Sequence, residues 1–233
     1  MLFWVEEREL IAALVEAYAD AIATRVSPAL MELPESAVAA AEAAARGAMV
    51  GFGDGAGYHG DTDAEWRASE ARAGVLQEAA WLALDVHDSV LLAATVGLFH
   101  LWEREMRRLL LRGPRFGARV PPRKEVEAAS FAGLSRILQD AGWPETMWRD
   151  PELERLRLVA NVAKHGAGPA LRELAARHPD LLLTSAGDML LNSAGDTPDP
   201  ELLRVDVPTF RCFAAAVAAF WRSAPAGGDP RFA

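Results

Sequence analysis

The chain has almost no cysteine: Cys212 is the only one in 233 residues. A disulfide framework is excluded, which points to a reducing compartment. There is no basic stretch ahead of the apolar residues in Met1-Leu-Phe-Trp-Val5, so no secretory leader is expected. No uninterrupted apolar run approaches the ~20 residues of a membrane span, so no membrane partner and a cytoplasmic location are expected. Positive charge is also scarce. The net charge is -9 and the pI about 5.1, which argues against broad electrostatic capture of nucleic acid. Net charge does not report distribution, so a local basic site stays open.

Several chemical signatures are missing too. The glycine-rich segment Gly51 to Gly60 has no lysine after it and no strand before it, so it reads as a connector, not a phosphate loop. No Gly-x-Ser-x-Gly elbow occurs, and Cys212 lies in the apolar run Phe210 to Phe220, where a buried inert thiol is expected. Glu-x-x-His pairs are absent, and His59, His87, His100, His165 and His178 are scattered. No metal and no cofactor are expected.

What is present favours helix. Residues are 51% hydrophobic and 24% charged, ample for a core. Alanine, the best helix former, recurs in runs such as Ala39-Ala40-Ala41. Leu10, Leu14, Ala17, Tyr18 and Ala21 have helical spacing over 6–24. A second helix opens at Pro34 and runs to about Val50. Thr62 and Glu65 form a capping-box pattern that starts a long helical segment reaching Arg112. Its length predicts a break near Asp85-Val-His-Asp88, with a second helix from Ser89 to Leu111. Pro121-Pro122 opens a helix to about Ala141. Asp150-Pro151 caps another that ends at His165-Gly166, and Pro169 starts a short one. Leu181 to Thr184 and Met189 to Asn192 read as two short strands around a turn. Asp206 caps the last helix, about Val207 to Arg222. Trp66, Trp81, Trp102 and Trp221 fall in helical apolar patterns and are expected in the core.

The expected fold is therefore an all-α helical bundle with a small β excursion near residues 181–205. Residues 1–60 read as an N-terminal helical hairpin docked on a bundle of residues 61–224, with a loose tail over 225–233.

The most informative residues lie in the run Arg157 to Gly166. On a helix, Asp150, Glu154, Arg157, Asn161, Lys164 and His165 share an arc of roughly 100°. One reading is a solvated face, with Glu154 and Arg157 spaced for an ion pair and Lys164 and His165 complementing the helix dipole. The other is an anion site: arginine forks onto phosphate oxygens, histidine moves a proton near neutral pH, and asparagine orients either. Those groups suit cleavage of RNA through its own 2′-hydroxyl. A second stripe, Ser89, Val96, His100, Glu103 and Arg107, falls within about 60° on the preceding helix. There Glu103 is placed either to pair with Arg107 or to meet Arg157 or His165.

Leu156-Arg-Leu-Val-Ala-Asn161-Val-Ala-Lys164-His165-Gly166 resembles the late-helix motif of the HEPN family. The helix Leu98-Phe-His-Leu-Trp-Glu-Arg-Glu-Met-Arg-Arg-Leu109 is similar to that family's earlier bundle helix, with Glu103 at a position often held by glutamate. The resemblance spans about residues 70–222. It implies a bundle of four or more helices, a homodimer, and in active members a metal-independent ribonuclease site. On this chain the site maps to catalytic Arg157, Asn161 and His165, with Lys164, Glu103, His100 and Arg107 binding substrate. The family's arginine stands directly before the polar residue. Here that position is Ala160, and Arg157 lies one turn earlier. Two functional expectations follow. One is an endoribonuclease of a toxin or anti-phage defence system, with RNA as substrate and an antitoxin as partner. The other is a catalytically inactive module that binds a protein or RNA partner.

Overall fold

Local punctuation explains most of the helices in the computed structural model, which describes residues 2–32, 34–50, 60–112, 122–140, 143–145, 149–182 and 199–224. Helix α1 spans Leu2–Ala21 and continues through a π turn, Ile22–Val26, into a short α2, Ser27–Met31. Pro28 falls at the start of α2, directly after the π turn. Helix α3, Glu35–Val50, begins where the Pro34 carbonyl accepts from the Ala37 amide at 2.9 Å. Helix α7, Pro151–His165, has the expected cap: Asp150 accepts from the Glu152 and Leu153 amides at 2.8 and 3.3 Å. Asp206 caps α9, Val207–Ser223, by accepting from the Thr209 amide at 2.8 Å. Helix α8 covers Pro169–Arg177.

The expected break at Asp85 to Asp88 does not occur. Helix α4 runs unbroken from Gly60 to Arg112, 53 residues. The segment 85–88 holds neither proline nor glycine, so nothing interrupts the hydrogen-bond ladder. Thr62 lies inside this helix and is not its cap. The helix meets the length and composition criteria for a membrane span over Glu65–Arg112, criteria that a core helix also meets. The single helix expected from Pro122 to Ala141 is instead two, α5 (Arg123–Ala128) and α6 (Phe131–Asp140). Ala129 turns extended, and its carbonyl accepts from Arg107 at 2.9 Å. Ser130 then restarts the helix, with its hydroxyl accepting from the Gly133 amide.

Among the described residues the chain is 88% helical with no strand. The anticipated hairpin falls largely on 183–198, outside the described residues. Its described margins form only an isolated antiparallel bridge between Leu182 and Leu203. The glycine-rich connector over 51–59 and the tail over 225–233 also lie outside them.

The chain divides into two units, 1–23 with 91–233, and 24–90. The boundaries differ from a division at residue 60 because α1 packs along α9. Arg222 links the two helices through Glu16, with both oxygens at 2.7 Å. Helix α4 contributes to both units, 60–90 to one and 91–112 to the other.

The larger unit holds the core. Trp102 is wholly buried, edge-on to Phe220 at 5.5 Å, and Phe220 stands edge-on to Trp221 at 5.3 Å. Around them lie Leu98, Leu138, Leu156, Val159 and Val217. Burial of each such side chain contributes ~1.5–3 kcal/mol.

Three packing expectations need correction. On α1 the buried stripe is Ala12, Val15 and Ala19, while Leu10 and Leu14 are exposed. Cys212 is exposed. The buried face of α9 is Phe210, Phe213, Ala214, Val217 and Trp221, so residue 212 projects elsewhere. Trp66 and Trp81 are exposed, unlike Trp102 and Trp221.

In the smaller unit the buried Ser27 hydroxyl is 2.8 Å from His87 Nε2, and His87 Nδ1 is 3.2 Å from Asp88. The order is that of a nucleophile, base and acid. Ser27, however, is only 8% exposed, so its hydroxyl is a packed group and not an open nucleophile.

Candidate functional site

A cleft of about 970 Å³ opens in the larger unit. One wall is the polar stripe of α7: Glu154, Arg157, Asn161 and Lys164. The facing wall is the polar face of α6: Ala132, Ser135, Arg136 and Gln139, spaced i, i+3, i+4 and i+7. The residues between them, Leu134, Ile137 and Leu138, are buried, which fixes that face outward from the core. Phe99 and Glu103 of α4 and Arg177 of α8 also line it, with Glu145 and Arg149 from the segment before α7.

Charge in the cleft runs against the charge of the chain. Arg136, Arg149, Arg157, Lys164 and Arg177 line it, against Glu103, Glu145 and Glu154. Three of these cations are engaged. Arg157 holds both oxygens of Glu154, at 2.6 and 2.9 Å, and lies 3.6 Å from Glu173. Its guanidinium sits 5.7 Å from the centre of the Phe131 ring. Arg177 pairs with Glu173 at 2.8 Å, and Arg149 with Glu145 at 2.6 Å. The hydrogen bond from Arg157 holds the Glu154 carboxyl below the usual carboxylate range, although partial burial acts the other way. The same bond raises the Arg157 pKa.

Arg136 and Lys164 stand apart. Among the described residues neither is in an ion pair. Lys164 rests its ammonium 5.1 Å from the centre of the Phe99 ring, an arrangement that leaves its other side open to an anion.

The residues singled out in the sequence separate. Arg157, Asn161, Lys164 and Glu103 share the cleft, whereas His165, His100 and Arg107 are not among its lining residues. Lys164 and His165 are neighbours in sequence and so point about 100° apart on the helix. His165 is exposed at the helix end. Glu103 pairs with Arg107 at 3.1 Å and lies 3.8 Å from His100 Nδ1. Ala160 is wholly buried, so an arginine at that position would be driven into the core.

Sequence reasoning missed Arg136, Arg149 and Arg177. The i, i+3, i+4, i+7 pattern of α6 was legible, but no local signal says that this face looks across at α7. Among the described residues no three His, Cys, Asp or Glu side chains cluster as metal ligands. The chain matches no protein-family model, no curated protein and no solved structure.

Proposed function

We propose that the chain is a HEPN-like module that binds the phosphate backbone of single-stranded RNA in this cleft without cleaving it. One observation carries the reading: an acidic chain gathers five basic side chains around one cleft, and two of them, Arg136 and Lys164, have no carboxylate partner among the described residues. Phosphate oxygens are the natural counter-charge for such a pair, and Ser135, Gln139 and Asn161 add donors beside them. The endoribonuclease reading needs Arg157 to leave Glu154 for the scissile phosphate and His165 to reach a cleft it does not line. Binding needs neither. A homodimer in a toxin or anti-phage system, with an antitoxin or other protein partner, is what the sequence resemblance implies, and a cytoplasmic location rests on the single cysteine.

Fluorescence anisotropy with labelled single-stranded RNA tests the reading. The Arg136→Ala/Lys164→Ala double variant is expected to bind at least ~10-fold more weakly, as loss of two phosphate contacts implies, and to lower the salt dependence by about 1.4 in the log–log slope. Inorganic phosphate and single-stranded DNA serve as competitors that separate phosphate recognition from RNA recognition. Unchanged affinity in the double variant would sink the assignment. Metal-independent cleavage that disappears in His165→Ala would hand the site to the ribonuclease reading.

A further inference from the structure

The smaller unit, 24–90, is the opposite of the cleft in charge. Positions 24–90 hold eleven acidic residues against four basic ones, so most of the chain's net charge of -9 falls there. No lysine or arginine occurs from Ala73 to Glu103. The same unit exposes Trp66, Trp81, Leu82 and Leu84 of α4. Large apolar side chains scattered singly over a surface need no explanation, but Trp81 has two exposed leucines within three residues of it.

Acidic and apolar side chains share one face of α4. At about 100° per residue, Trp66, Glu70, Glu78, Trp81, Leu84 and Asp85 fall within an arc of about 120°, with Leu82 at its edge. All seven are exposed. Glu78 and Asp85 stand about one turn before and one turn after Trp81. Arg67 is the one basic residue on this arc, and it is already engaged. Arg72 lies on the other side of the helix, paired with Glu42 of α3 at 2.8 Å. None of these residues lines the cleft.

The carboxylates decide what can cover the face. Lipid would have to cover Glu70, Glu78 and Asp85, and ionised groups are costly in hydrocarbon. RNA and anionic headgroups are repelled by a field of this sign. A second copy would bring only the same carboxylates to the contact, and juxtaposed like charges oppose association. What complements the face is apolar side chains interleaved with basic ones, the pattern of a basic amphipathic helix.

We propose that this face of α4 docks a basic amphipathic helix of a partner protein. Its apolar side chains lie against Trp81 and Leu84, and its lysines or arginines against Glu70, Glu78 and Asp85. The acidic residues span ~22 Å along α4, which a partner helix of about fifteen residues matches. Trp81 is the anchor, since buried tryptophan is enriched among the side chains that dominate interfaces. The carboxylates on either side of it select a cationic partner. A single helix face is a small interface, so the association is transient.

Fluorescence anisotropy with the full chain tests this. The probe is a labelled peptide of about 18 residues made of leucine and lysine, with leucines at i, i+3, i+4 and i+7. It is expected to bind at micromolar concentration, while a leucine–glutamate peptide of the same pattern does not. Trp81→Gln, at an exposed position, is expected to weaken binding on the order of 30-fold, as loss of a tryptophan hot spot does. Glu78→Gln/Asp85→Asn is expected to weaken it about 5-fold and to reduce its salt dependence, as loss of two rim ion pairs implies. Circular dichroism should show helix content unchanged in both variants. Absence of binding overturns the proposal, as does equal binding of the two peptides. Equal affinity in Trp81→Gln and the wild type places the peptide elsewhere and overturns it too. So does dimerisation or vesicle flotation of the wild type that Trp81→Gln abolishes, because a second copy or a lipid surface would then own this face.

Discussion

Trp102 and Trp81 lie on the same helix and meet opposite fates. Trp102 stands among α6 and α9 residues and is sealed by Phe131 and Phe220. Trp81 is 64% exposed. The sequence around each is an apolar run with helical spacing, so the local pattern does not separate them. The difference is the number of elements that reach each stretch of helix, which is a property of the tertiary arrangement.

The sharpest way to break this comparison is to truncate both side chains. Trp102→Ala is expected to destabilise the chain by about 3–5 kcal/mol, through lost burial and a cavity. Trp81→Ala should change the stability of the monomer by less than about 0.5 kcal/mol. Urea unfolding reads both. Similar losses at the two positions would remove the distinction between the buried and the exposed tryptophan.

A second comparison uses glycine. Gly166 follows α7 with φ 65° and ψ −135°, so its φ is positive as expected of the residue after a helix, but its ψ is not that of the left-handed helix. That region is open essentially to glycine alone, and Gly166→Ala should lose about 1–3 kcal/mol. Gly47 in α3 has ordinary helical geometry and nothing within 4 Å of an added Cβ. Gly47→Ala should gain about 0.5–1 kcal/mol. Thermal melts of the two variants are expected to shift in opposite directions.

Caps give a smaller effect. Asp150→Ala leaves the Glu152 and Leu153 amides without their acceptor and is expected to cost about 1 kcal/mol. Asp150→Asn should restore most of it, because the amide oxygen accepts the same bonds.

Ion pairs come last. Glu154 is held below the usual carboxylate range in the folded chain, first by the Arg157 hydrogen bond. Its contribution is therefore present above the ordinary carboxylate pKa of about 4.3 and is lost as pH falls through its lower folded value. Unfolding midpoints measured from about pH 6 to pH 3 should fall less steeply in Glu154→Gln than in the wild type. The Glu42–Arg72 pair of the smaller unit is exposed on both sides. Glu42→Gln should alter stability by less than about 0.5 kcal/mol. An equal change in slope for Glu42→Gln would erase this last contrast.

The candidate site was half legible. The α7 stripe followed from spacing, and Glu154 with Arg157 at i, i+3 was a recognisable pair. The arginines at 136, 149 and 177 were not recognisable, because they lie on α6, ahead of the α7 cap and on α8, and no period within one helix relates them to the α7 stripe. His165 shares a helical-wheel arc with Arg157, yet a cleft samples only part of a 100° arc.

By itself the sequence determined the helical class, the caps at Asp150 and Asp206, the turn at Gly166 and the polar face of α7, because each follows from backbone propensity or from hydrogen bonds within a few residues. Only the tertiary structure decided that α4 is unbroken, that α5 and α6 are separate and that Leu10, Leu14 and Cys212 face outward. It also decided which tryptophans are buried and which cations share a cleft. Those outcomes depend on contacts between residues far apart in the chain, where a helical period supplies two or three faces of similar apolarity and packing selects one.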